Sequence, residues 1–224
     1  MLHLAYVDEP VGTFHARDVA TVERATIWVP CLDESPTLVL GSRQQLGSVD
    51  QDICRQRGIE VVQRRSGGAA VLVGSEQLIW FDVLITRDHP GWNDDVQKSF
   101  FWLSDRLLSA LKALGIEAEA HHGPMINTTW SDLVCFAGLG PGEITVDGKK
   151  LIGISQRRTR NVARYQVAIL RRWQPEDIVS LFLLDTAQHA QAVQELPKAA
   201  TTTSIDPDAV LQAVATALEA QDHK

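Results

Sequence analysis

The chain has 224 residues, 45% hydrophobic and 22% charged, a composition that can form a full globular core and argues against disorder. Its 21 basic and 28 acidic side chains leave a net charge of −7, which excludes the basic surface that bulk nucleic-acid binding relies on. Cys31, Cys54 and Cys135 are widely spaced with no Cys-x-x-Cys pair, and no uncharged apolar run reaches the ~18 residues that span a bilayer. Zinc-ribbon, dithiol-redox and transmembrane readings are therefore set aside. With no basic-then-apolar leader at the N-terminus, a cytoplasmic protein is expected.

In chain order, residues 37–40 after Pro36 form a short apolar run ended by Gly41, which predicts a buried strand. Residues 50–56 predict a short helix stopped by Gly58, followed by a strand over 59–62. Beyond a glycine turn, residues 70–73 and 78–85 predict two more strands, with 74–77 as their hairpin link. Asp94 or Asp95 can cap a helix running to Leu114. Its Phe100, Leu103, Leu107, Leu111 and Leu114 recur at helical spacing, and Gly115 is the stop.

Further on, residues 144–146 and 151–154 predict a hairpin closed by Asp147-Gly148, a pair that tolerates positive φ. Residues 162–170 predict a strand and Pro175 opens a helix with Glu176 and Asp177 in its first turn. A final helix from about Asp206 carries a Val210, Val214, Leu218 core stripe. Hairpins grouped together, with helices inserted late, predict an α+β fold: a mixed, largely antiparallel sheet flanked by helices. One domain over residues 1–224 is expected.

The chemistry concentrates in two blocks. In Gln63-Arg64-Arg65-Ser66-Gly67-Gly68-Ala69-Ala70-Val71-Leu72, the glycines let the backbone bend sharply and bring N–H groups close to an anion or carbonyl. Arg64 and Arg65 add guanidinium donors suited to phosphate or carboxylate, unless they are simply solvated. The second block, Asp147-Gly148-Lys149-Lys150-Leu151-Ile152-Gly153-Ile154-Ser155-Gln156, carries a lysine into the sheet. Strand alternation places Lys150, Ile152 and Ile154 on one face and Lys149, Leu151 and Gly153 on the other, so the two lysines cannot share a role.

Cys135 is either a small buried hydrophobe or a thiolate nucleophile. His121 and His122 are adjacent, point apart and lack a ligand partner at metal spacing, so no metal is assigned.

In this order and at this distance, the blocks resemble the signature motifs of the lipoate–protein ligase and octanoyltransferase family over about residues 37–185. The resemblance implies a biotin/lipoate-ligase-like catalytic fold and an enzyme that attaches a lipoyl or octanoyl chain to a lysine of a lipoyl acceptor domain. Such domains occur in glycine cleavage H protein and 2-oxoacid dehydrogenase subunits. From the charge and hydropathy above, no nucleic-acid or membrane partner is expected.

By residue match the resemblance implies that Lys150 is the family's catalytic lysine and that Arg64, Arg65, Ser66, Gly67, Gly68, Ala69, Ala70, Val71, Leu72 and Gly153 form the substrate or adenylate site. Trp80, on the strand after the glycine loop, is the tryptophan best placed to touch an acyl chain, with core packing the more common role for such a residue. Gln63 stands where the family usually has its first arginine, and Ala69 where many ligases have glycine.

Two mechanisms follow. A ligase would use ATP and Mg²⁺ to make lipoyl-adenylate, held by the loop and Lys150. A transferase would need no cofactor and would take octanoyl from acyl carrier protein onto Cys135. The cysteine-to-lysine spacing matches one octanoyltransferase branch, and no C-terminal accessory domain of the ligase kind is expected. The Arg-Arg-Ser-Gly-Gly stretch looks more like the ligases, so ligase chemistry is the leading expectation. Transfer is the alternative, and a non-catalytic acyl or nucleotide binder a third reading.

Overall fold

The computed structural model describes residues 2–220. Its elements are β1 (His3–Val7), α1 (Val11–Ala16), β2 (Thr26–Pro30), β3 (Thr37–Leu40), α2 (Gln51–Gln56), β4 (Glu60–Gln63), β5 (Val71–Val73), β6 (Leu78–Thr86), α3 (Ser99–Ala113), β7 (Glu119–Ala120), β8 (Ile144–Val146), β9 (Lys149–Arg158), β10 (Val162–Leu170), α4 (Pro175–Val179), α5 (Thr186–Glu195) and α6 (Pro207–Glu219). A seven-stranded sheet has the order β1-β2-β6-β10-β9-β8-β7, and a three-stranded sheet the order β4-β3-β5. Within them only the β1–β2 and β3–β4 pairs are parallel. The sheets are thus mixed and largely antiparallel, as the sequence predicts.

The near-continuous apolar runs of β6 and β10 arise because both faces of these strands are covered. Phe81, Val83, Tyr165 and Val167 join a core with Leu103, Leu107 and Leu111 of α3 and Val210, Val214 and Leu218 of α6. The opposite face of the large sheet meets the small one: Leu78, Trp80 and Leu170 pack with Val39, Val71 and Val73. The outer face of the small sheet, through Leu38 and Leu40, is closed by residues of α2, α4 and α5. The stacking order is therefore helices, large sheet, small sheet, helices.

Three local readings change. The β5–β6 link is not a hairpin, because β5 pairs only with β3 while β6 lies in the large sheet; residues 74–77 carry the chain from one sheet to the other. The α3 helix begins at Ser99, since the Asp95 carboxylate accepts from Gln97 N and Lys98 N in a preceding turn. The N-terminal β1, α1 and β2 and the helix α5 were not predicted. Strand β1 is mostly exposed and shows no alternation, and α1 has only six residues and no side-chain cap. The α5 capping box, Asp185 with Gln188, was a readable signal.

Candidate active site

Between the sheets, cross-strand register lays out a floor. Trp80 of β6 pairs with Ala168 of β10, which pairs with Gly153 of β9; one step along, Asp82, Gln166 and Ser155 form the next row. Small side chains at Ala168 and Gly153 leave space that Val39, Val71 and Val73 roof from the other sheet. The result is a narrow apolar channel of about 40 Å³. It meets an outer cleft of about 270 Å³, walled by Gly67–Ala69, Phe100, Met125 and Lys150.

The glycine loop is folded by its own arginine. Arg64, 5% exposed, donates Nη2 to the carbonyls of Gly67 (2.8 Å) and Ala69 (3.0 Å), and Nε also to Gly67 (3.2 Å). Gly68 has φ +94°, and a Cβ there would stand 2.7 Å from Arg64 Nη2 and 3.9 Å from Cys135 Sγ. A Cβ on Gly41 would overlap the Gly68 carbonyl oxygen, so the end of β3 must also be glycine for the loop to lie down. Gln63 fastens the neighbouring turn by donating to Gln44 O (2.8 Å) and Gly41 O (3.2 Å). The backbone N–H groups of Gly67, Gly68 and Ala69 have no acceptor among the described residues.

Cys135 is set against this loop by backbone pairing: its N–H donates to Ala70 O (2.9 Å), and Ala70 N donates to Leu133 O (3.2 Å). Half-buried, it lines both the outer cleft and the inner channel.

Beside it, Lys150 is 3% exposed and donates to Cys135 O (2.8 Å), Gly138 O (3.1 Å) and Glu143 Oε2 (2.7 Å), using all three of its protons. Glu143 in turn accepts from Gly140 N (2.6 Å) and Ile154 N (3.2 Å). Lysine and glutamate together hold the 135–140 turn in place.

The face assignment of Lys150 needs correcting. Thr145 pairs with Lys150 but Ile144 pairs with Ile152, so Leu151 is an extra residue, a β-bulge. Strict alternation would put Lys150 with Ile152 and Ile154, which point into the helix-side core. The bulge shifts the phase by one residue and turns Lys150 to the side of Gly153, where a Cβ would lie 3.4 Å from Lys150 Cε. Lys149 remains exposed.

Below the cleft runs a buried polar chain. Ser155 Oγ donates to Ser66 Oγ (3.2 Å), Ser66 Oγ to Gln166 Oε1 (2.6 Å), and Gln166 Nε2 to His15 Nδ1 (2.8 Å). His15 therefore carries its proton on Nε2, which is buried without a partner among the described residues. Burial, then the Arg64 and Arg164 cations, lower its pKa from 6.5 to about 3, so the ring is neutral. Arg164, itself paired with buried Asp82, donates to Phe14 O (2.8 Å) and tethers α1, which brings His15 to the channel beside Trp80.

The structure thus gathers Gly67, Gly68, Ala69, Cys135 and Lys150 at the cleft, and Arg64, Val71, Gly153 and Trp80 around the channel, with Ser66 between. It does not bring Arg65, Ala70 or Leu72 there. Arg65 is exposed, while Ala70 and Leu72 line a separate cavity on the α4 side. His121 bonds Pro124 O and His122 packs on Phe101. Sequence reading missed His15, which has no motif around it. It also missed Glu143, whose signal was a lone acid opening an apolar strand.

This two-sheet fold is that of the lipoate protein ligases. The bipartite lipoate protein ligase of Thermoplasma acidophilum, solved together with its E2 lipoyl domain, superposes with a TM-score of 0.73 over 96% of this chain and 81% of its own. At 15% identity that likeness establishes the fold.

The lipoyl protein ligase A/B catalytic-domain model matches residues 20–220, and the chain belongs to that family. Among curated relatives, octanoyltransferase LipM of Kyrpidia tusciae is 32% identical over 181 residues, 78% of this chain and 64% of that protein. Octanoyltransferase LipM of Carboxydothermus hydrogenoformans is 38% identical over 124 residues, 55% and 45% of the two chains. The chain therefore spans about half to just under two thirds of these relatives' length. No helix among the described residues is long and apolar enough to cross a membrane.

Proposed function

We propose that the described residues act as one catalytic unit that transfers an octanoyl group from an acyl carrier protein to the lysine of a lipoyl acceptor domain, with Cys135 as nucleophile. The observation that carries this reading is the position of Cys135, where the open cleft meets the apolar channel. A thioester carbonyl arriving through the cleft reaches the sulfur while its alkyl chain enters the channel.

The thiolate attacks that carbonyl, the bond to the carrier sulfur breaks, and the carrier leaves with the proton from Cys135. The acceptor amine then attacks the Cys135 thioester; an amide forms, the cysteine sulfur leaves as thiolate, and the amine's surplus proton is lost. The N–H groups of Gly67, Gly68 and Ala69, free among the described residues and lining the same cleft as Cys135, suit the oxyanion of both steps. Lys150 positions the Cys135 turn and adds charge; a direct bond from it to an oxyanion requires release of one of its three acceptors.

The transferase is favoured over the ligase by the named relatives and by Arg64. That guanidinium, expected to face an adenylate, is turned inward onto Gly67 O and Ala69 O, and Arg65 stands in solvent. These residues fit a loop built for close backbone approach better than a phosphate cradle, and no step is assigned to ATP or Mg²⁺.

Incubation with octanoyl-carrier protein and no ATP should give a protein heavier by one octanoyl group, and Cys135→Ala should abolish the adduct. Acylation of a lipoyl domain from free lipoate and ATP that survives Cys135→Ala would overturn the proposal in favour of the ligase.

A further inference from the structure

Beyond the channel lies a second, smaller cavity of about 30 Å³, bordered by Leu170, Trp173 and Ile178 and reaching Arg172 and Asp177, whose side chains are 41% and 37% exposed. Among the described residues only Val71 and Phe136 line both this cavity and the channel. Phe136, 2% exposed, follows Cys135 directly and stands between the two spaces. Lys150 Nζ lies 5.1 Å from its ring centroid, the Trp173 ring lies 6.0 Å away at a tilt of 52°, and a Cβ on Gly153 would come within 3.4 Å of its Cζ. The ring is therefore packed by three neighbours, and the turn that presents Cys135 presents this partition too.

From these two cavities and their shared wall, we infer that Phe136 sets the length of acyl chain the site accepts. It closes the channel against a ready-made extension that runs along β10 past Leu170 towards solvent. The inference rests on the transferase reading for the identity of the acyl donor, but the partition itself is a matter of space. With Phe136 in place, a chain longer than the channel has nowhere apolar to go. Once the ring is cut back, its terminal methylenes enter the second cavity, each leaving water for an apolar wall. Burial of every two methylenes is worth on the order of tenfold in affinity.

The test measures binding of free octanoate and dodecanoate by calorimetry, alongside formation of the Cys135 adduct from octanoyl- and dodecanoyl-carrier proteins. Phe136→Ala, and the milder Phe136→Leu in case the larger truncation unfolds the core, should raise the dodecanoate-to-octanoate affinity ratio by at least about tenfold over wild type. Ala168→Val, which fills the channel floor, should lower octanoate affinity without opening a longer path.

An unchanged ratio in a Phe136 variant with native circular dichroism would overturn the inference. So would a shift produced by Trp80→Ala alone, which would put the length stop at the other end of the channel. Because fatty-acid binding needs no turnover, absence of a wild-type adduct would sink the transferase reading while leaving the length selection independently decided.

Discussion

Replacing Lys150 with methionine removes the ammonium from a side chain that is 3% exposed and leaves the Glu143 carboxylate, 7% exposed, without its cation. Glu143 keeps the N–H bonds of Gly140 and Ile154, while Cys135 O and Gly138 O lose a donor each. Breaking a buried pair from one side costs about 3–5 kcal/mol because the remaining charge is uncompensated. A single domain commonly has ~5–15 kcal/mol in total, so Lys150→Met should remain folded but with a much lower urea midpoint.

Adding Glu143→Gln takes away the stranded charge, and the double variant should be more stable than the sum of the single losses by about 1–3 kcal/mol. Urea titrations followed by circular dichroism give all four corners of this cycle. Acyl-enzyme formation should fall in Lys150→Met and stay low in the double variant, since Cys135 O and Gly138 O lose their Lys150 donor in both. Lys149→Ala is the control and should change stability by less than about 0.5 kcal/mol. Additivity of the Lys150 and Glu143 losses within about 0.5 kcal/mol, or equal losses at Lys149 and Lys150, would refute the reasoning.

Gly68→Val should abolish binding of octanoyl-carrier protein while the far-ultraviolet spectrum is kept, because at φ +94° its Cβ displaces the Arg64 guanidinium that shapes the loop. Unchanged affinity by calorimetry would make the loop an ordinary surface turn. Gly41→Ala should cost about 1–3 kcal/mol in thermal or urea unfolding by overpacking against the Gly68 carbonyl, and should lower acylation with it.

His15 must stay neutral to remain buried, whereas in the unfolded chain it takes up a proton near pH 6.5. Its contribution to stability is therefore flat above that pH and falls by about 1.4 kcal/mol per unit as the pH drops towards about 3. His15→Phe should lack this slope, so the stability difference between variant and wild type should change by about 1.4 kcal/mol per unit as the pH falls from 6.5 to 4; parallel curves would contradict it.

What the sequence determined by itself was local. The Asp147-Gly148 turn forms with φ of 51° and 72° because those two residue types tolerate the left-handed region, and no distant partner is needed. The long apolar runs of β6 and β10 and the α6 stripe were legible for the same reason, since burial on both faces or on one leaves its period in the chain. The two motif blocks identified the family, yet they leaned towards the ligase, and the curated relatives favour the transferase.

The rest belongs to tertiary structure. Whether Arg64 faces a ligand or its own loop depends on where Gly67 and Ala69 place their carbonyls. Glu143 meets Lys150, and His15 meets Gln166, across separations that no spacing rule relates. The face of Lys150 turned on one unpaired residue, Leu151: a bulge is a property of two strands in register, and alternation within one strand cannot reveal it.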